Sequence, residues 1–587
     1  MTQLFIDGLE VSLGEEFEFD YNIENPFFTR NGDYTYDIDI DLRDAHNQLV
    51  YQHINRCDAS DHLASRDAVI VSNGEIQIHG KEIILSTEDN IVKIQIVAGN
   101  SGLNYICQGK RKLRSLDFGS LAADADIATR TVSGCYPEFD FVCTPIIYSY
   151  DSQHMKVFNR VRISEAGFEF VKEGNFVPQP YLLYIVDKLL ALLGYTVIEN
   201  ALADDPRWSR LFLVNGFVTN EVSKMLPDWT IDEFITEIEK FFNCIFYVDK
   251  NTTNVRILRL NTYYDKSKIT YIDKVIDNDF GKRYNEKNEN LYINYDNVRY
   301  DFPDFEQYKY LRLDPKVRDV CTVVKKQKYW YFLQDISKHW DERVIMHATD
   351  YDVDFVGHEY YKTQHSLRIV DRFADITKGA TDNTTDLKII PSEFFGGLTG
   401  FGHFDQPDFS SGGFFACYAR NSNQADQTTD EAGVNEMIKS GVQEEKKPDK
   451  LFVGLFIGVQ NLFAMSLQNP TMRLKNPKSP MSTVDTMAYV MYEDPLASGD
   501  CLIKLDDENM TLRLPGPHGI HKNYYRNQLR VDTSVEYEFN FMCDVIPDQR
   551  DIFVIRNQRY YCKSLAVKIT ADGRDKIIKG LFYKVEF

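Results

Sequence analysis

Tryptophan and cysteine are scarce in this chain of 587 residues, with 4 Trp against 39 Phe and 35 Tyr, and 10 Cys. No two cysteines form a Cys-x-x-Cys pair, the spacing of zinc and redox motifs. They are spread thinly over Cys57, Cys107, Cys135, Cys143, Cys244, Cys321, Cys417, Cys501, Cys543 and Cys562, mostly in apolar or strand-like contexts, which predicts buried reduced thiols rather than a disulfide framework. A long apolar run is missing too. The most apolar stretch, Leu451 to Ser466, is interrupted by Gln460 and Asn461 and falls short of the ~20 residues a membrane helix needs, so it reads as a core element and no membrane span is expected. Cations are in deficit, with 66 Lys plus Arg against 88 Asp plus Glu and a net charge of −22. A protein that grips nucleic-acid phosphates wants the opposite balance. The opening Met-Thr-Gln-Leu-Phe-Ile-Asp-Gly has no basic region followed by an apolar core, so the expectation is a soluble product made in the cytoplasm, without a signal peptide.

What is present belongs to a folded chain: 43% hydrophobic and 26% charged residues. Aromatics at 13% favour strands, where half-buried rings pack well on a pleated surface. At ~150 residues per domain the length suggests roughly four domains. The fold class read from these patterns is β-rich α+β and multi-domain, with tube-like β-barrel or sandwich domains plus a helix–hairpin middle domain. The first segment reads as β throughout. Asp7-Gly8 and Asn73-Gly74 are two-residue hairpin signals, and Tyr36, Ile38, Ile40 and Leu42 alternate with Asp37, Asp39 and Asp41. Helices are expected between 175 and 245. Pro180 is placed in a first turn, followed by Leu182 to Leu193 at helical spacing up to Gly194. A second helix starts on a capping box, Thr230 with Glu233, flanked by a Trp229–Phe234 staple and ended by Asn243. A hairpin across 249–254 follows. The resulting division is an N-terminal β domain at 1–118, an α+β middle domain at 119–270, a β-rich domain at 271–375, a Gly/Ser/Asn-rich insertion at 376–450 and a C-terminal β domain at 451–587. In the last, Val535, Tyr537, Phe539 and Phe541 alternate, Phe553 to Ile555 pairs with Tyr560 to Cys562, and a final strand follows.

Each candidate site of chemistry among these elements has a plainer reading. Asp37, Asp39 and Asp41 open like a calcium loop, but Leu42 and Gln48 stand where Gly and Glu are required, so a solvated acidic strand face is expected. His358-Glu359 begins like a zinc-protease helix, yet Lys362 occupies the second ligand position and His365 is out of register. His518 and His521 lie in a Pro/Gly-rich loop without a third ligand. Gly400 and Gly402 lack the third glycine and the βαβ setting of a dinucleotide site. The aromatic tracts Tyr329-Trp330-Tyr331-Phe332 and Tyr360-Tyr361 suit sugar platforms, although packing is the commoner fate of such rings. No catalytic, cofactor-binding or metal-ligating residue is assigned, and no enzymatic activity is expected.

One resemblance gives these pieces a context. Leu4-Phe-Ile-Asp-Gly, Ile23-Glu-Asn-Pro26, Gly32-Asp-Tyr-Thr-Tyr36 and His53-Ile-Asn-Arg56 resemble tail proteins of phages and prophages of Bacteroides-type hosts. The middle part, Leu192-Leu-Gly-Tyr195, Leu226-Pro-Asp-Trp-Thr-Ile-Asp-Glu-Phe234 and Phe242-Asn-Cys-Ile-Phe-Tyr-Val-Asp249, is similar to the baseplate hub of long-tailed phages and contractile injection machines. So is the end, Ile555-Arg-Asn-Gln-Arg-Tyr-Tyr561 through Lys579-Gly-Leu-Phe-Tyr583. The resemblance covers about half the chain in three patches. It implies a trimeric ring in the virion tail or baseplate, without an active site of its own. Its two tube-like β domains per subunit would join a hexameric tail tube to a three-fold tip. Its partners would be further copies of the chain and the tail-tube, distal-tail, tail-tip and tape-measure proteins. DNA would pass through without specific binding. Other readings are a distal tail adaptor ring of the same machine and a carbohydrate-binding or glycan-cleaving β-sandwich protein.

Overall fold

The computed structural model describes residues 1–58, 65–150, 155–164, 167–216, 218–265, 267–276, 281–284 and 531–585. Between 285 and 530 it describes the segments 298–300, 322–327, 344–348, 353–356, 367–369, 385–392, 394–399, 414–419, 450–461 and 485–489, with Leu512 and Ile520. His358, Glu359, Lys362, His365, Gly400, Gly402, His518, His521 and the two aromatic tracts at 329–332 and 360–361 lie outside the described residues.

Strands β1 (Thr2–Ile6), β2 (Leu9–Val11), β3 (Glu18–Glu24), β4 (Asp33–Thr35), β5 (Ile38–Asp41), β6 (Asp67–Ser72), β7 (Glu75–Glu88) and β8 (Ile91–Ala98) form the opening segment. Positive φ at Asp7 (47°), Gly8 (78°), Asn73 (56°) and Gly74 (80°) turns β1 into β2 and β6 into β7. The expectation of β structure throughout this segment is corrected by three short helices. These are α1 (Pro26–Thr29), α2 (Ala45–Val50) and α3 (Gly99–Cys107). Asn25 and Asp44 accept backbone N–H bonds as N-caps of the first two, and α3 buries Leu103 and Cys107 although no side chain caps it.

The middle of the chain builds a helix-on-sheet unit. Helix α4 spans Leu182–Leu192, and Gly194 reverses the chain at φ 86° into strand β9 (Thr196–Asn200). Pro180 is not in the first turn of α4. It lies in a two-residue strand paired with Phe141–Val142, and the Tyr181 N–H donates to Asp140 O, which holds the chain extended up to the cap. Helix α5 (Ile231–Phe242) begins on the expected capping box: Glu233 N–H donates to Thr230 Oγ1 (3.1 Å) and Thr230 N–H to Glu233 Oε2 (2.7 Å). The Trp229 and Phe234 rings lie 6.4 Å apart, and Asn243 takes φ 47° to end the helix. Strands β10 (Cys244–Val248) and β11 (Asn254–Arg259) form the hairpin that follows, with β9 parallel to β11 on its far side.

The C-terminal region contributes β12 (Ile269–Ile272), β13 (Gly281–Tyr284), β14 (Val535–Met542), β15 (Ile552–Ile555), β16 (Gln558–Thr570) and β17 (Gly573–Lys584). Strand β15 pairs Phe553 with Tyr560 of β16. In β14, Phe539 and Phe541 face the core, while Glu536 is also buried, held by Lys563 at 2.5 Å.

Segments from opposite ends of the chain share one 14-stranded sheet, in the order β2-β1-β6-β7-β8-β4-β3-β16-β17-β14-β13, with β5 on β8, β15 on β16 and β12 on β15. The contact between the two ends is the β3–β16 ladder, in register from Glu18 opposite Thr570 to Glu24 opposite Ser564. The sheet curls until Thr2 N–H donates to Ala571 O (2.8 Å), but no ladder closes it, and none of the sheets formed by the described strands is a barrel. The molecule is β-rich with several open sheets, and the core packed on the largest includes Ile23, Ile38, Ile94, Phe541, Leu565 and Phe582. A second, nine-stranded sheet draws on strands between 367 and 489, including Phe394–Thr399 and Phe414–Ala419 within the Gly/Ser/Asn-rich stretch, and on Met155–Phe158 and Leu211–Leu213.

Candidate functional site

The most elaborate polar arrangement among the described residues sits where the large sheet meets the helix–hairpin unit. Its centre is Asn25, fully buried between β3 and α1. The two N–H bonds of Asn25 Nδ2 are shared among Tyr264 OH, Gln549 O and Cys562 O, each at 2.9 Å. Its Oδ1 accepts from Tyr263 OH (3.0 Å) and Phe27 N–H (3.1 Å), and its backbone N–H donates to Lys563 O (2.9 Å). One side chain thus ties the opening strand to the end of the middle unit and to the C-terminal strands. Pro26 follows as the first helical residue, where a missing N–H is harmless.

Rings surround this amide. Phe27 lies 5.2 Å from Tyr263 and 5.5 Å from Tyr264, Tyr264 lies 4.5 Å from Tyr561, and Phe28 lies 5.0 Å from Tyr583. The Arg550 guanidinium covers the rings of Tyr247 (4.7 Å) and Tyr263 (5.0 Å) and donates to Tyr263 O (3.2 Å). Two further contacts continue the seam. Asn100 of α3 acts as a strand partner for β10, donating to Phe246 O and accepting from Val248 N–H (2.9 Å). Gly32 permits this approach, since a Cβ there would come within 2.7 Å of Asn100 N. Arg30, at φ 61°, reaches α5 with bonds to Glu239 (2.8 Å) and Thr236 Oγ1 (3.1 Å), while its carbonyl accepts from Asn104 Nδ2 (2.7 Å).

Burial governs the protonation of the junction. It raises Glu239 to about 7 against the opposing pull of the Arg30 guanidinium and the Phe246 N–H. It also raises Asp33, which accepts a bond from Tyr21 OH (2.7 Å) and is pulled the other way by Lys250. The thiols Cys107 (to about 12), Cys244 and Cys562 and the Tyr264 hydroxyl are pushed up by burial too. At neutral pH these thiols and the hydroxyl stay protonated, so they suit hydrogen bonding and packing rather than nucleophilic attack. The arrangement is built to hold segments together.

The described candidates named from the sequence, Asp37, Asp39 and Asp41, lie elsewhere. Asp39 and Asp41 are exposed on β5, Asp41 is clasped by Arg43 (2.8 Å), and Asp37 accepts from Gln95 (3.1 Å). Among the described residues no group of three or more His, Cys, Asp or Glu side chains is placed to hold a metal ion. Seven cysteines are described as free thiols, four of them buried and Cys57 exposed. Among the described residues no helix is long and apolar enough to cross a membrane. The roles of Asn25, Arg30, Asn100 and Glu239 were not read from the sequence. The available signal was Asn25-Pro26, an N-cap and N1 pair at the end of an alternating strand.

No protein-family model matches this chain, and no curated protein matches its sequence. Among solved structures it is similar to the 43 kDa tail protein of prophage MuSo2 from Shewanella oneidensis, at 9% identity and a TM-score of 0.28, over 100% of this chain and 96% of that chain.

Proposed function

We propose that this chain is a structural subunit of a phage-type tail, a baseplate hub ring that joins the tail tube to the tail tip and leaves a channel for DNA. One observation carries the reading. Stretches of the chain that separately resemble phage tail proteins (the first) and hub proteins (the other three) supply the walls of a single junction. Ile23–Pro26 contributes Asn25; Phe242–Asp249 contributes Phe246 and Tyr247; Ile555–Tyr561 contributes Tyr561; Lys579–Tyr583 contributes Tyr583. Residues so far apart share this neighbourhood because each is needed to pack the seam, which makes their joint resemblance one architectural feature instead of several coincidences. The junction works as a joint, its thiols and the Tyr264 hydroxyl held protonated by burial, in keeping with a scaffold.

Light scattering and electron microscopy of the purified protein test the reading. The expected result is a mass about three times the 68.2 kDa of one chain, in three-fold rings with an open centre. Six-fold rings would instead favour the distal tail adaptor. A monomer that hydrolyses glycans would overturn the tail assignment.

A further inference from the structure

A second buried polar chain lies beside the nine-stranded sheet. Asn159 directly follows Met155–Phe158, and Asn215 comes two residues after Leu211–Leu213, both strands of that sheet. Gln179 pairs with Val142, and Thr144 stands two residues beyond that pair. Thr144, Asn159, Gln179 and Asn215 are all 0% exposed, so bulk solvent reaches none of them. Asn159, turned at φ 53°, uses both ends of its amide. Its Nδ2 donates to Thr144 O (2.7 Å) and Val177 O (2.8 Å), and its Oδ1 accepts from Val177 N–H (2.7 Å). Gln179 continues the chain. Its Nε2 donates to Val177 O (3.2 Å) and Asn215 O (3.1 Å), and its Oε1 accepts from Asn215 N–H (2.6 Å).

At each end of this chain one side-chain atom is left over. The Thr144 hydroxyl and Asn215 Oδ1 are buried with no hydrogen bond from any described residue. The other end of the Asn215 amide reaches Pro178 O at 3.5 Å, a weak bond. An unsatisfied buried polar atom weakens folding about fivefold or more, and Val or Leu would fill these positions with nearly the same shape and no such cost. Buried groups of this kind are commonly satisfied by ordered water, which makes two to four bonds in polar surroundings. The chemistry of the two ends suits water. Asn215 Oδ1 can only accept, the hydroxyl can give or take a hydrogen, and water does either. A bare cation suits them less, because the carbonyls of Thr144, Val177 and Asn215 already face side-chain N–H donors, whose positive ends would repel it.

We propose that this network holds ordered internal water, one molecule on Thr144 Oγ1 and one on Asn215 Oδ1. These waters are fixed parts of a second joint, between the middle of the chain and the nine-stranded sheet. The proposal stands apart from the ring reading, since it needs only one copy of the chain.

A density map of the purified full chain, at a resolution that shows ordered water, tests it together with denaturation of Thr144→Val. Density within hydrogen-bond reach of Thr144 Oγ1 and of Asn215 Oδ1 is expected. Thr144→Val keeps the shape of the side chain but takes away the hydroxyl. It should lower the folding equilibrium constant by about fivefold, and the density beside residue 144 should vanish. Thr144→Ser keeps the hydroxyl and should keep that density. A dry wild-type map at both atoms would overturn the proposal. So would a Thr144→Val chain more stable than the wild type, the result expected for a hydroxyl that has no partner at all. Because the water is read in the wild-type map, a variant that fails to fold leaves the test standing.

Discussion

Asn25 concentrates several consequences in one side chain. Asn25→Ala would leave Gln549 O, Cys562 O and the hydroxyls of Tyr263 and Tyr264 without this partner in a buried setting. A buried polar group left unsatisfied costs about 1–3 kcal/mol, so chemical denaturation should show a loss of about 3 kcal/mol or more. Asn25→Asp keeps the shape but removes the donors, and should lose nearly as much. Glu239 makes a separate prediction about pH. Its folded value is raised from 4.5 to about 7, so folding takes up a proton between those values. The stabilising contribution is fully present below about 4.5 and is lost as pH rises through about 7. Glu239→Gln stays neutral throughout and should remove this slope. Melting temperatures at pH 5 and pH 8 should therefore differ less in the variant than in the wild type, and an unchanged difference would contradict the burial of the carboxyl.

Elements whose determinants are local were the legible ones. The start of α5 is specified by Trp229, Thr230, Glu233 and Phe234, all within about one turn, and the structure places each as expected. Removing the cap should cost about 1 kcal/mol. Thr230→Ala and Trp229→Ala should thus both lower the melting temperature, the second through lost packing against Phe234. The hairpins at Asp7-Gly8 and Asn73-Gly74 were legible for the same reason, because the turn residues determine their own φ. Helices α1 and α2 escaped notice because each is very short and begins on a single capping side chain amid strands. The Asn25 junction was illegible for the opposite reason. Its partners lie 239, 524 and 537 residues away, and no window of sequence shows that they meet. Glu239 likewise reads as a solvated position on an amphipathic helix until Arg30 is seen to reach it.

For the whole molecule, the acidic surplus bears on how the proposed ring would treat DNA passing through it. DNA carries one negative charge per ~1.7 Å of axis, so a wall rich in carboxylates would keep the duplex from sticking. Fluorescence anisotropy at physiological salt should show no duplex binding tighter than roughly 10⁻⁴ M, the weak end of non-specific association. Micromolar binding would contradict it. The shared sheet has a different consequence, which concerns synthesis. The β3 edge is completed by Ser564 to Thr570 of β16, and Cys562 just before them already lies 537 positions after Asn25. A ribosome adding ~5–20 residues per second needs roughly half a minute to two minutes to cover that distance. Until then β3 presents a row of unpaired backbone groups, a template for pairing with any other nascent chain. The opening strands must wait for the closing ones, so emergence of β16 and β17, rather than of the first segment, is when this sheet can first be whole.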